Sequence, residues 1–181
     1  MIIAREKKKK NIIEYLLYMF QIENVLRALG LDEERIMRDL VAQYDQPEEV
    51  MKEIRDWYYH LLRMMKEEQV EEKGHLQFLK NQINDLYATH KQLLGNPDEA
   101  VYATVFREAM PDLEVLRKKI NHPDTHEVET ALEGVYAFLL LNMQKEKISE
   151  DTREAIDRIT RWLFLLGKKY MELEKGEKEW E

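Results

Sequence analysis

The sequence predicts an all-α fold: a single-domain helical bundle of six to seven antiparallel helices over residues 1–181. Three observations carry this expectation. Apolar residues recur with the 3.6-residue period of a helix, not the two-residue period of a strand. The chain is rich in Glu, Lys, Leu and Met, all good helix formers. Only 6 Gly and 4 Pro occur, too few to turn the many corners of an all-β protein. A chain of this length buries a hydrophobic core without disulfides or metal staples.

The first helix is expected from about residue 6 to Leu29, with Gly30 as its left-handed C-cap. Its wide apolar face is Ile12, Tyr15, Tyr18, Met19, Ile22, Val25, Leu26 and Leu29. Ile13, Leu16, Leu17 and Phe20 form a second face. A helix that is apolar on two sides is packed on two sides, so this one is the expected centre of the bundle. Asp32 caps a short second helix through about Gln43, with Glu33 and Glu34 suiting its positive end. Asp45-Gln46-Pro47-Glu48-Glu49 starts a third, with Pro47 at the first helical position, and it reaches about Glu68. The polar stretch from Lys66 to Gly74 predicts a break, and one continuous helix through Gly74 is the alternative.

The fourth helix is expected from about Gly74 to Leu94, ending at Gly95. Asn96-Pro97-Asp98-Glu99 then opens a fifth that runs to about Ile120. Its stripe of Tyr102, Val105, Phe106, Ala109, Leu113, Leu116 and Ile120 keeps phase across Pro111, which lies on the opposite side. An interior proline costs ~3 kcal/mol, yet a true break would lose register, so the reading is one kinked helix. Asn121-His122-Pro123 ends it, and Asp124 or Thr125 caps a sixth helix to about Lys145. Ser149 caps a seventh that reaches about Lys175. Beside its main stripe this last helix has a second row at Thr160, Phe164, Gly167 and Met171. Glycine costs ~1 kcal/mol relative to alanine in a helix, so Gly167 marks a close approach by another element, a second subunit among the candidates.

Composition excludes several functions. There is no cysteine, hence no disulfide, no thiolate nucleophile and no Cys-based zinc site. A formal net charge of -8 argues against nucleic acid as a partner, because that affinity rests on neutralising phosphates. The run from Lys7 to Lys10 reads as a solvated terminus. The apolar stretch behind it is interrupted by Glu14, Gln21, Glu23, Asn24 and Arg27, so it is neither a signal peptide nor a membrane span. The expected compartment is the cytoplasm.

Motifs for chemistry are sparse. Glu72-Lys73-Gly74-His75 is the one Glu-x-x-His sequence that could serve a di-iron bundle, and a single copy cannot build that symmetric site. It reads as a solvated connector. His122 and His126 are four apart with Pro123 between them, which suits a polar helix start better than a metal site. His90 sits in an apolar stripe and reads as a core residue with a hydrogen-bond partner. Glu53-Asp56, Glu68-Glu71 and Glu154-Asp157 have carboxylate spacings used by helical pyrophosphohydrolases, but such pairs arise freely among 36 acidic residues. Ser149 is the only serine and serves as a cap, and no Gly-rich phosphate loop exists. No catalytic residue, metal or cofactor is assigned.

Two sets of residues remain as candidates. Glu14 and Gln21 lie on the doubly apolar first helix, and Tyr15, Tyr18, Trp57 and Tyr58 lie on inner faces. These six could line an aromatic pocket with a carboxylate, suited to a small ligand, while a satisfied core is the plainer alternative. Thr160, Phe164, Gly167 and Met171 form a candidate self-association surface. The leading function is a cytoplasmic helical binding or scaffold protein that self-associates as a homodimer. The rival is a small-ligand-binding protein or a metal-dependent, carboxylate-ligated hydrolase.

The opening Met-Ile-Ile-Ala-Arg-Glu-Lys, followed by Asn11-Ile12-Ile13-Glu14-Tyr15-Leu16-Leu17-Tyr18-Met19 and Gln21-Ile22-Glu23, resembles an uncharacterised bacterial family of about this length. That family is known only as a domain of unknown function. The resemblance implies a self-contained helical protein and carries no activity or site residue with it.

Overall fold

The computed structural model describes residues 2–120 and 125–176. Among them are eight α-helices and no strand: α1 (Ile2–Lys10), α2 (Ile12–Ala28), α3 (Glu33–Asp39), α4 (Glu48–Glu67), α5 (Gln77–Gly95), α6 (Ala100–Ile120), α7 (Glu127–Met143) and α8 (Glu150–Glu174). Short 3-10 turns at Val41–Gln43 and Pro97–Glu99 precede α4 and α6. The all-α expectation holds, with one helix more than the upper count.

The extra helix comes from Asn11. Its backbone is extended (φ -158, ψ 129), and its side chain accepts the Ile13 N–H, so it caps α2. The expected single first helix is therefore two. The break is held from afar: the Asn11 amide donates to the Phe164 carbonyl of α8 at 3.4 Å. Gly167 lies against the same corner. A Cβ built on Gly167 would stand 2.5 Å from Asn11 Oδ1 and 2.8 Å from Ile13 Cγ1. The close approach inferred at Gly167 is thus made by α2 of the same chain.

This geometry gives a first prediction. Gly167→Ala gains helix propensity, but it pushes on a capping oxygen and a fully buried Ile13. Overpacking and cap loss outweigh the propensity gain, for a net destabilisation of about 2–3 kcal/mol. Gly95→Ala is the control, since a Cβ there meets nothing within 4 Å and φ is not positive. It should be neutral or stabilise by up to about 1 kcal/mol. Urea unfolding of both variants checks the pair.

Other boundaries shift by a few residues. The short helix capped by Asp32 stops at Asp39, and the 3-10 turn at Val41–Gln43 replaces its expected end. Pro47 is the N-cap of α4, not its first helical residue. The break between α4 and α5 is real. Gln69 turns left-handed (φ 57), and the Val70 N–H reaches back to the Met65 carbonyl at 3.0 Å, closing α4 with a Schellman turn. α5 starts at Gln77 because Glu23 and Glu68 side chains accept the N–H groups of Leu76 and Gln77 (2.9 and 2.6 Å). α6 runs unbroken through Pro111, which is exposed while Ala109 and Leu113 are buried. The cap of α7 is His126, whose Nδ1 accepts the Glu129 N–H at 3.2 Å; Thr125 lies one residue short, its hydroxyl bonded to Thr130. Asp124 and His122 lie outside the described residues.

The centre of the bundle is α8 rather than the first helix. α8 packs against α2, α5, α6 and α7, and it buries Ile156, Ile159, Trp162, Leu163 and Leu166. α2 packs against α1, α7 and α8. α8 reaches more helices because it is longer, at 25 residues against 17 for α2, while α2 is buried on both of its apolar faces as expected. No described helix is long and apolar enough to cross a membrane.

Candidate binding groove

Along α2, positions 14, 18 and 21 are spaced to lie on one face. Along α8, positions 157, 160 and 164 do the same. These two rows meet across a groove of about 1020 Å³ whose third wall is α7. Leu17, Val135, Phe138, Leu139, Ile156 and Phe164 supply its apolar lining. Glu14, Tyr18, Gln21, Thr160 and Phe164 line it as well, so members of both candidate sets converge on one place.

The rest go elsewhere. Tyr58 is fully buried, and its hydroxyl is 2.9 Å from that of Tyr44. Trp57 packs edge-on against Tyr58. Tyr44 in turn hydrogen-bonds Tyr18, and burial together with Tyr44 raises the Tyr18 pKa well above the ordinary phenol value. The anticipated aromatic pocket is therefore divided. Tyr18 lines the groove, while Tyr58 and Trp57 do not, and Tyr58 is joined to Tyr18 through Tyr44. Tyr15 is half-buried beneath the Lys8 ammonium. Gly167 is buried against Asn11, and Met171 is half-buried beyond the groove.

The polar rim is uneven. Glu14, Glu150, Glu154 and Asp157 stand on it, against Lys7 and Arg153. Glu14 pairs loosely with Lys7 at 3.9 Å, and Asp157 pairs with Arg161 at 2.9 Å. Such exposed pairs contribute little stability. Arg153 also lies over the Phe138 ring. Along the α7 lip Leu139 is 41% exposed and Met143 is 67% exposed. These apolar side chains extend the concave apolar surface of the groove toward solvent.

The buried carboxylate of α2 is Glu23, not Glu14. Glu23 is 1% exposed; one oxygen accepts the Leu76 N–H and the other meets His75 Nδ1. The Phe20 ring stacks on His75 at 3.8 Å. The Glu-x-x-His histidine is thus half-buried and held, not a solvated connector. A signal was present in the sequence: Glu23 lies between Phe20 and Leu26 at helical spacing, within the apolar face. Its partner on the loop after α4 had no such signal. Among the described residues no group of three or more His, Asp or Glu side chains is placed to hold a metal ion, so the carboxylate cluster that the hydrolase reading requires is not formed there.

A second buried network joins α5, α6 and α8. Trp162 Nε1 donates to the Tyr102 hydroxyl at 3.0 Å, and that hydroxyl lies 2.6 Å from His90 Nδ1. His90 is the core histidine that its stripe suggested. Burial pushes its pKa down to about 4. Between that value and the ordinary 6.5 the unfolded chain holds a proton that the folded chain does not, so stability rises with pH across this window and is lost as pH falls through it. His126, also lowered by burial, acts in the same direction. The expected slope from His90 is up to about 1.4 kcal/mol per pH unit. Urea unfolding at several pH values checks it, and His90→Gln should flatten the slope.

No curated protein and no solved structure shows significant similarity to this chain. A family model matches residues 1–177, which spans all of the fold described above, and the chain belongs to that family, the domain of unknown function DUF4924.

Proposed function

We propose that this protein is a cytoplasmic binding or scaffold module that receives an apolar helical face in the groove between α2, α7 and α8. The observation that supports this reading is the groove itself: an open apolar floor flanked by the exposed Leu139 and Met143. Helix-in-groove recognition uses such a floor, with apolar anchors entering at helical spacing. The lack of cysteine suits a reducing cytoplasm.

A neutral apolar dye such as N-phenyl-1-naphthylamine reports on the groove directly. It should brighten with the wild-type protein. Leu139→Glu combined with Met143→Glu should abolish the brightening. Both side chains are exposed, so folding stability should change by no more than about 0.5 kcal/mol for each. Equal brightening in the double variant would remove the groove as the binding site.

Self-association is a second reading, favoured by the apolar lip lying beside an apolar concavity. A two-fold interface needs such a self-complementary patch. Light scattering at high micromolar concentration tests it, and a monomer under those conditions ends it.

A further inference from the structure

We infer that the groove's occupant is a basic amphipathic helix of another protein, a helix with an apolar face edged by Lys or Arg. The inference rests on the groove reading above and adds the chemistry of the partner. Two observations lead to it. The first is length. The groove is lined along α8 from Glu150 to Phe164, a stretch of about 21 Å at the helical rise of about 1.5 Å per residue. That is too long for a compact small molecule and matches about four turns of a docked helix.

The second is charge. Glu150, Glu154 and Asp157 fall at i, i+4 and i+7 on α8, which makes one acidic edge along the groove, and Glu14 adds a carboxylate on the α2 side. Lys7 and Arg153 share the lining with these four. Asp157 is held by Arg161 at 2.9 Å, and Arg158, 3.9 Å from Glu154, is engaged more closely by Asp112 at 2.7 Å, so Glu150 and Glu154 are the carboxylates most open to a new cation. An occupant with its own lysines or arginines beside its apolar face would pair with Glu150 and Glu154 and compete with Arg161 for Asp157. The formal net charge of -8 per chain works against a second copy as a whole.

The test uses the full-length protein and two labelled model peptides of about 14 residues with the same leucine pattern, one with lysine and one with glutamate at every polar position. Fluorescence anisotropy should show the lysine peptide binding, with the glutamate peptide roughly tenfold weaker or worse. Raising salt from about 50 to about 500 mM should weaken the lysine peptide. Replacing the edge (Glu150→Gln, Glu154→Gln, Asp157→Asn) should weaken it by roughly tenfold. A control triple, Glu33→Gln, Glu34→Gln and Glu49→Gln, removes the same charge from α3 and α4 and should change nothing. Equal losses in the two triple variants, or equal binding of the two peptides, would overturn the inference and leave the groove reading intact. Absence of both dye and peptide binding would overturn the groove reading itself. A stable homodimer broken by Leu139→Glu would replace the foreign helix with a second copy.

Discussion

Glu23→Ala is expected to destabilise the folded protein by about 3–5 kcal/mol, among the largest effects of any single polar substitution in this chain. The carboxylate is buried and both of its oxygens are used. Truncation leaves the buried Leu76 N–H, which opens α5, without its acceptor. It also removes the group that holds His75 over the Phe20 ring, and it opens a cavity in the core. Glu23→Gln keeps an oxygen for Leu76 and should cost only about 1–2 kcal/mol. Urea unfolding measures both, and hydrogen exchange at the Leu76 amide should quicken far more in the alanine variant. A loss below about 1 kcal/mol for Glu23→Ala would mean that this carboxylate does not organise the start of α5.

Tyr102→Phe is the second large effect, at about 2–4 kcal/mol. The indole of Trp162 can only donate, so the Tyr102 oxygen accepts from it and the phenolic proton goes to His90 Nδ1. One hydroxyl therefore satisfies two buried partners. Phenylalanine fits the same space but strands the indole N–H and the imidazole lone pair in a core where Trp162 and Tyr102 are both 0% exposed. Removing an acceptor and a donor without replacing their partners is what makes the change costly. Chemical unfolding should show the loss, and the Trp162 indole proton should exchange faster. A wild-type midpoint would contradict the network.

Most of the helices were legible because their causes are local. Asp32, Asn96 and Ser149 accept N–H groups two or three residues ahead, and Gly30 takes the left-handed turn that ends α2. The stripe of α6 stayed in phase across Pro111 because one buried face requires it. His90 was legible as a core histidine from its neighbours in that stripe. Asn11 was not read as a cap. An asparagine between a lysine run and an apolar run fits a helix interior, and what stops the helix there is the Phe164 carbonyl and the space left by Gly167, more than 150 residues away. The candidate pocket includes Glu14 and omits Glu23 for a similar reason. Both lie on an apolar helix, and which is buried depends on where the loop after α4 crosses it.

By itself the amino-acid order determined a cysteine-free, all-helical chain, where most of its helices begin and end, and which faces are apolar. Hydrogen bonding within a turn and side-chain spacing of three or four residues are enough for that. Only the tertiary structure decided that Glu14, Tyr18 and Gln21 share a groove with Thr160 and Phe164, that Trp57 and Tyr58 do not line it, and that Glu23 holds His75. Those pairings depend on how rigid helices dock, and many dockings bury the same apolar stripes. Local periodicity therefore says that a face is covered without saying by what.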